Sequence, residues 1–106
     1  MVKRTEIEEF CSRLVETFHP TRVTLFGSYA QGTPRPDSDV DLLVEMSLNG
    51  SGLSKAAEMV KKLDPPFAVD LVVRTPQQVK SRIEQNDFFM QNVVKRGRVL
   101  YEASHA

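Results

Sequence analysis

Three short β-forming runs, each set off from the next by a helical stretch, constrain this chain more than any other feature. Arg22 to Phe26 (RVTLF) alternates β-branched and aromatic residues with others and reads as a strand. Val40 to Glu45 (VDLLVE) is a second, and Phe67 to Val73 (FAVDLVV) a third, almost wholly apolar except for Asp70. Ile7, Phe10, Cys11, Leu14, Val15 and Phe18 recur at helical steps, predicting a helix over Thr5 to Phe18. Thr5 and Glu8 have capping-box spacing there, and His19-Pro20 supplies the stop. Residues 28–32 read as one helical turn, followed by a proline-bearing extended loop. Leu53, Ala56, Ala57, Val60 and Leu63 mark a second amphipathic helix that ends before Pro65-Pro66. Thr75-Pro76-Gln77-Gln78 opens a helical region running to Arg96, with a restart near Asn86-Asp87 and Gly97 as its C-terminal cap. Val99 to Tyr101 adds a short final strand. Strands alternating with helices predict an α/β (α+β) sandwich with helices over the sheet.

The chain has 106 residues, which predicts a single domain over 1–106. Hydrophobic residues at 41 % and charged residues at 26 % make an ordinary globular balance that argues against disorder. Fourteen basic residues balance fourteen acidic ones, which argues against a protein that coats nucleic acid. The single cysteine, Cys11, excludes an internal disulfide and a cysteine-rich zinc site, and its place on an apolar stripe makes it a small buried hydrophobe. The N-terminus has no apolar signal region and no run is long enough to span a bilayer, so the expectation is a soluble, cytoplasmic protein.

The chemistry gathers at three places. The first strand ends abruptly in Gly27-Ser28, the second opens with Ser38-Asp39-Val40-Asp41, and the third carries Asp70. Side chains two apart on a strand share a face, so Asp39 and Asp41 emerge together while Val40, Leu42 and Val44 face the other way. Two carboxylates side by side repel, and a divalent cation relieves that repulsion. Oxygen-only ligands suit Mg²⁺ or Mn²⁺, and such sites often hold two ions. Asp70 adds a third oxygen ligand if its strand neighbours that of Asp39, and is placed to accept a proton from an attacking hydroxyl. Gly27 lets the backbone approach a phosphate closely, and Ser28 adds a hydroxyl donor. Metal ligands on one side and phosphate donors on the other describe a nucleoside triphosphate site.

On these residues the sequence resembles the DNA polymerase β-like nucleotidyltransferase superfamily, whose signature is Gly-Ser, about ten residues, then Asp-x-Asp, with a later strand-borne Asp. It stands here as LFGSYAQGTPRPDSDVDLLVE followed by FAVDLVV, and the likeness extends over nearly the whole chain. The length matches the minimal nucleotidyltransferase branch, the catalytic core alone. The resemblance implies a small mixed β-sheet flanked by helices and two Mg²⁺ ions. It also implies attack of an acceptor hydroxyl on the α-phosphate of an NTP, with release of pyrophosphate. Asp39 and Asp41 would then hold both metals, Asp70 would hold the catalytic one and assist deprotonation, and Gly27 and Ser28 would bind the triphosphate. The branch is similar to antitoxins paired with HEPN-type RNase toxins, in some cases transferring AMP from ATP to a toxin tyrosine. The expected partner is therefore such a helical toxin, in an assembly with it, rather than nucleic acid or membrane. The competing expectations are a non-catalytic module that neutralises its partner by binding, and transfer to a small-molecule hydroxyl. One departure stands out: relatives often carry arginine where this chain has Gln31, with Arg35 nearby as the substitute.

Other candidates have structural readings. His19 and His105 are expected to be structural or solvated, and Lys95, Arg96 and Arg98 to serve the dipole at a helix C-terminus. Phe88, Phe89 and Met90 are assigned to the core, with any exposed remnant a partner-binding patch, and Glu45 to a solvated strand end, with an approach to the site as the alternative. Tyr29 either lines the nucleotide site or covers it.

Overall fold

A return crossover is what lets the second and third strands run side by side in the same direction. In the computed structural model, which describes residues 1–104, β1 (Arg22–Phe26), β2 (Val40–Glu45), β3 (Val69–Arg74) and β4 (Arg98–Glu102) form one sheet ordered β3-β2-β1-β4. β1 is antiparallel to both β2 and β4, whereas β2 and β3 are parallel. The helix α3 (Gly52–Leu63) carries the chain back between them, as a parallel pair requires. The other described helices are α1 (Arg4–Phe18), α2 (Ser28–Gln31), α4 (Pro76–Glu84) and α5 (Phe88–Arg96). None is long and apolar enough to cross a membrane.

Strand alternation divides the core in two. Val23, Leu25, Val40, Leu42, Val44, Leu71 and Val73 pack on one face with Ile7, Phe10, Cys11 and Leu14 of α1 and Met59 and Leu63 of α3. On the other face Leu43 meets Val79 of α4 and Met90 and Val93 of α5, with Phe26 and Val72 at the margin. Register then puts Phe26, Asp41 and Asp70 in one row across three strands, next to the row Thr24, Leu43 and Val72. Leu43 is 1 % exposed, so α4 and α5 close that second row, while Asp70 remains exposed.

Several local expectations are corrected. α1 begins one residue earlier, and its cap is Lys3, whose N–H donates to Glu6 Oε1 at 3.1 Å, instead of the Thr5–Glu8 pair. On α3 the apolar stripe is rotated from the one expected: Leu53 is 83 % exposed, and Met59, at 0 %, is the inward residue. At the start of this helix Gly52 lies so close to the Val73 carbonyl that a Cβ would collide with it. The long C-terminal helical region restarts where expected, as two helices separated at Asn86, which has φ 61°. Gly97 is the C-terminal cap of α5, as expected, and takes an extended backbone (φ −74°) there. Its need for glycine is close packing, since a Cβ would meet the Val93 carbonyl and, at 2.7 Å, Thr24 Cγ2. Met90 is buried as assigned, but Phe88 and Phe89 are not. Cys11 is buried as expected, and burial, with Glu8 nearby, pushes its thiol up to about 11. His105 lies outside the described residues.

Candidate active site

The three sequence motifs meet at one end of the sheet, where β1 finishes and β2 and β3 start. Asp41 is the second residue of β2 and Asp70 the second of β3, and the parallel register sets them directly opposite. Asp39 stands exposed two residues before Asp41, on the lead into the strand. Asp70 is thus no carboxylate buried in an apolar run, as FAVDLVV suggests; the apolar residues are deeper in β3 and the aspartate opens to solvent.

Gly27 closes the site from the β1 side. It has φ 75° and ψ −155°, a conformation that L side chains rarely adopt. A Cβ there would also run into Oδ2 of Asp41 and lie 3.2 Å from its Cγ. Backbone and carboxylate are therefore in contact across the strand pair. From Gly27 the chain turns at once into α2: its carbonyl accepts the N–H groups of Ala30 and Gln31, both at 3.1 Å. The N–H groups of Ser28 and Tyr29 come too early in the turn to have an acceptor within it, and the Ser28 hydroxyl sits beside them.

The loop between α2 and β2 is tied by Ser38, whose role the sequence reading missed. Its hydroxyl accepts the Arg35 N–H at 2.8 Å, and its own N–H donates to the Arg35 carbonyl at 3.0 Å. Val40 then donates to the Ala68 carbonyl at 3.0 Å, beginning the pairing that aligns Asp41 with Asp70. A serine three residues after the loop's turning point was the available signal.

Electrostatics single out Asp41. Partial burial, then Asp70, then Asp39 push its carboxyl up to about 6. No three described His, Cys, Asp or Glu side chains are already gathered at metal-holding distance, so the carboxylates meet as a repelling set and not as a closed coordination shell. The donor chemistry nevertheless fits a hard divalent cation, which supplies the positive charge that this repulsion lacks.

Other candidates fall outside the site. The Tyr29 hydroxyl accepts the Val2 N–H at 3.0 Å and its ring packs on the α1 core, so Tyr29 is committed to that core. Glu45 lies at the far end of β2 and is 6 % exposed, correcting the solvated strand end expected. Burial raises its carboxyl, Arg22 at 4.0 Å opposes the rise and Glu102 adds to it. His19 caps α1 in the left-handed conformation, with its N–H on the Val15 carbonyl at 2.9 Å. Lys95 and Arg96 occupy the last turn of α5, as the dipole argument expects. Arg35 is exposed on the tied loop.

Comparison with known proteins agrees with this geometry. The sequence profile of the nucleotidyltransferase domain matches residues 4–100. A candidate protein adenylyltransferase of Methanocaldococcus jannaschii is 29 % identical over 105 residues, spanning 95 % of this chain and 100 % of that protein. Among solved structures, a toxin–antitoxin crystallised with AMP-PNP is similar with a TM-score of 0.59 and 27 % identity, over 92 % of this chain and 74 % of that one. A candidate nucleotidyltransferase from Sulfolobus solfataricus shares the fold with a TM-score of 0.63 at 19 % identity, over 92 % of this chain and 78 % of that one.

Proposed function

The chain belongs to the nucleotidyltransferase domain family, and from that premise we propose that it transfers AMP from ATP to a protein hydroxyl, as the antitoxin of a toxin–antitoxin pair. The observation that carries the reading is the row of Asp41 and Asp70 in register, with Asp41 pressed against Gly27. An anionic pair of this kind disfavours its own ionisation, and such a site is suited to cation-assisted phosphate chemistry.

In the reaction an acceptor hydroxyl oxygen bonds to the α-phosphorus, the bond from that phosphorus to the bridging oxygen breaks, and pyrophosphate leaves. Gly27 and Ser28 hold the triphosphate through backbone N–H groups and the serine hydroxyl. Asp39 and Asp41 would hold two Mg²⁺ ions, and Asp70 one of them. When bound, Mg²⁺ neutralises charge on the transferring phosphoryl group and orients it. Asp70, the exposed member of the row, receives the acceptor's proton.

The acceptor we assign is a tyrosine of a HEPN-type RNase toxin, with which the chain forms an assembly. A protein acceptor is supported by the adenylyltransferase relative, which this chain matches along that protein's whole length. A toxin partner and ATP are supported by the toxin–antitoxin structure that holds AMP-PNP. The zero net charge suits a protein acceptor better than a nucleic acid.

The test is incubation with Mg²⁺ and α-phosphate-labelled ATP in extract of the host containing the partner, beside Asp41→Asn. A labelled protein band that the variant fails to produce is expected. Label only in a small molecule would transfer the reading to a small-molecule acceptor. No label, with Asp39→Ala still protecting cells from the partner, would leave neutralisation by binding alone.

A further inference from the structure

Phe88 and Phe89 play no part in the chemistry above, and neither is buried: Phe88 is 87 % exposed and Phe89 50 %. Two adjacent aromatic residues so exposed contribute little to the fold. Phe89 packs edge-on against Phe26, with ring centroids 5.5 Å apart and planes at 87°. Phe26 in turn is the cross-strand partner of Asp41. Residues so paired have side chains roughly 5 Å apart, which keeps the Phe89 ring within about 10 Å of the Asp41 side chain. Asp87 fixes the start of α5, accepting the Met90 N–H at 3.1 Å and pairing with Arg82 at 3.2 Å, so Phe89 is presented from a tied helix end.

We propose that Phe89, with Phe88 beside it, is the stacking platform for the nucleobase of the nucleoside triphosphate. The assignment rests on the nucleotidyl-transfer reading. A phosphate held at Asp41 places its base one ribose away, which is the span from the carboxylates to Phe89. The strand order favours nucleotide over acceptor at this patch. Asp70, which receives the acceptor's proton, is on the edge strand β3, two strands from β1, and the Phe26–Phe89 pair lies on the β1 side with Gly27 and Ser28. A flat apolar ring stacks on any base and favours the larger purine face over the pyrimidine.

The experiment is calorimetric binding of ATP and of inorganic tripolyphosphate, each with Mg²⁺, to wild type, Phe89→Leu, Phe89→Tyr and Phe88→Ala. Leucine keeps the apolar contact with Phe26 but lacks a π-face, and Phe88 is too exposed for its loss to disturb the fold. Phe89→Leu is expected to weaken ATP roughly tenfold, to leave tripolyphosphate unchanged, and to be rescued by Phe89→Tyr; Phe88→Ala should act in the same direction with a smaller effect. Unchanged ATP affinity in Phe89→Leu, or equal weakening of both ligands, overturns the platform. Unchanged ATP affinity together with reduced AMP transfer to the partner overturns it in favour of an acceptor surface. Failure of wild type to bind either ligand overturns the nucleotide reading itself, and the platform with it.

Discussion

Gly27 and Asp41 are bound to one another by geometry and set apart by charge. The glycine's positive φ and the carboxylate against its α-carbon make two independent reasons why no side chain fits there. Gly27→Ala is therefore expected to destabilise the protein by about 1–3 kcal/mol and to displace Asp41 as well. Urea unfolding and Mg²⁺-ATP binding check the two effects separately; loss of binding without loss of stability would show that the strain argument is wrong. Asp41 yields a pH prediction of definite sign. Its carboxyl is raised from the ordinary 3.8 to about 6 in the folded chain. Between those values the folded state holds a proton that the unfolded state has released. Stability of the metal-free protein must then fall as pH rises from about 4 to about 6, and stay lower above. Glu45 is shifted in the same direction by its burial, so the wild-type curve contains both groups. The difference between wild type and Asp41→Asn isolates the aspartate: the variant should be the more stable protein at neutral pH and, on the proposed mechanism, the inactive one. Denaturant unfolding across that range, with the two curves parallel, would remove Asp41 as the cause.

Among the elements, α3 separates what hydrophobic periodicity encodes from what only packing decides. Leu53 and Met59 both fit a helical stripe, yet one is 83 % exposed and the other fully buried. Met59→Ala is expected to lower stability by about 2–5 kcal/mol, whereas Leu53→Ser should stay within roughly 0.5 kcal/mol. Equal effects in chemical denaturation would restore the stripe read from sequence. The strands were legible because β-branched runs bounded by Gly and Pro have few alternatives: β1 and β2 have the bounds expected, and β3 and β4 differ at their ends. The Thr75 cap was legible too, its hydroxyl accepting the Gln78 N–H at 3.1 Å. What sequence did not disclose were facts of close approach. Gly52 lies against the Val73 carbonyl, and Gly97 packs tightly against Val93 and Thr24. The same limit applied at the site. Gly27, Asp41 and Asp70 were found by motif and alternation, and the structure brings them together. Ser38 and the exposure of Phe88 and Phe89 depend on the loop's path and on where α5 starts, which periodicity does not report.

Over the whole molecule, charge balances to zero in sum but not in place. Three aspartates stand at one end of the sheet, and burial together with the charges of Asp70 and Asp39 disfavours the ionised Asp41 there whenever no cation is present. A cation that binds only the folded arrangement adds stability by mass action, in proportion to the logarithm of its concentration over its dissociation constant. Protons compete for the same carboxylates. Mg²⁺ should therefore raise the thermal midpoint at pH 8, and raise it progressively less as pH falls through about 6, where Asp41 takes up its proton. Ca²⁺ and Mn²⁺ should act in the same sense, whereas NaCl at matched ionic strength, which screens exposed charge without bridging carboxylates, should not. Asp41→Asn should be higher in midpoint without metal and insensitive to its addition. A Mg²⁺ response that keeps its size at pH 5, or that survives in the variant, would locate the cation elsewhere on the surface. The stabilisation that the fold lacks at this end would then have to come from a partner pressed against the carboxylates, and not from an ion held between them.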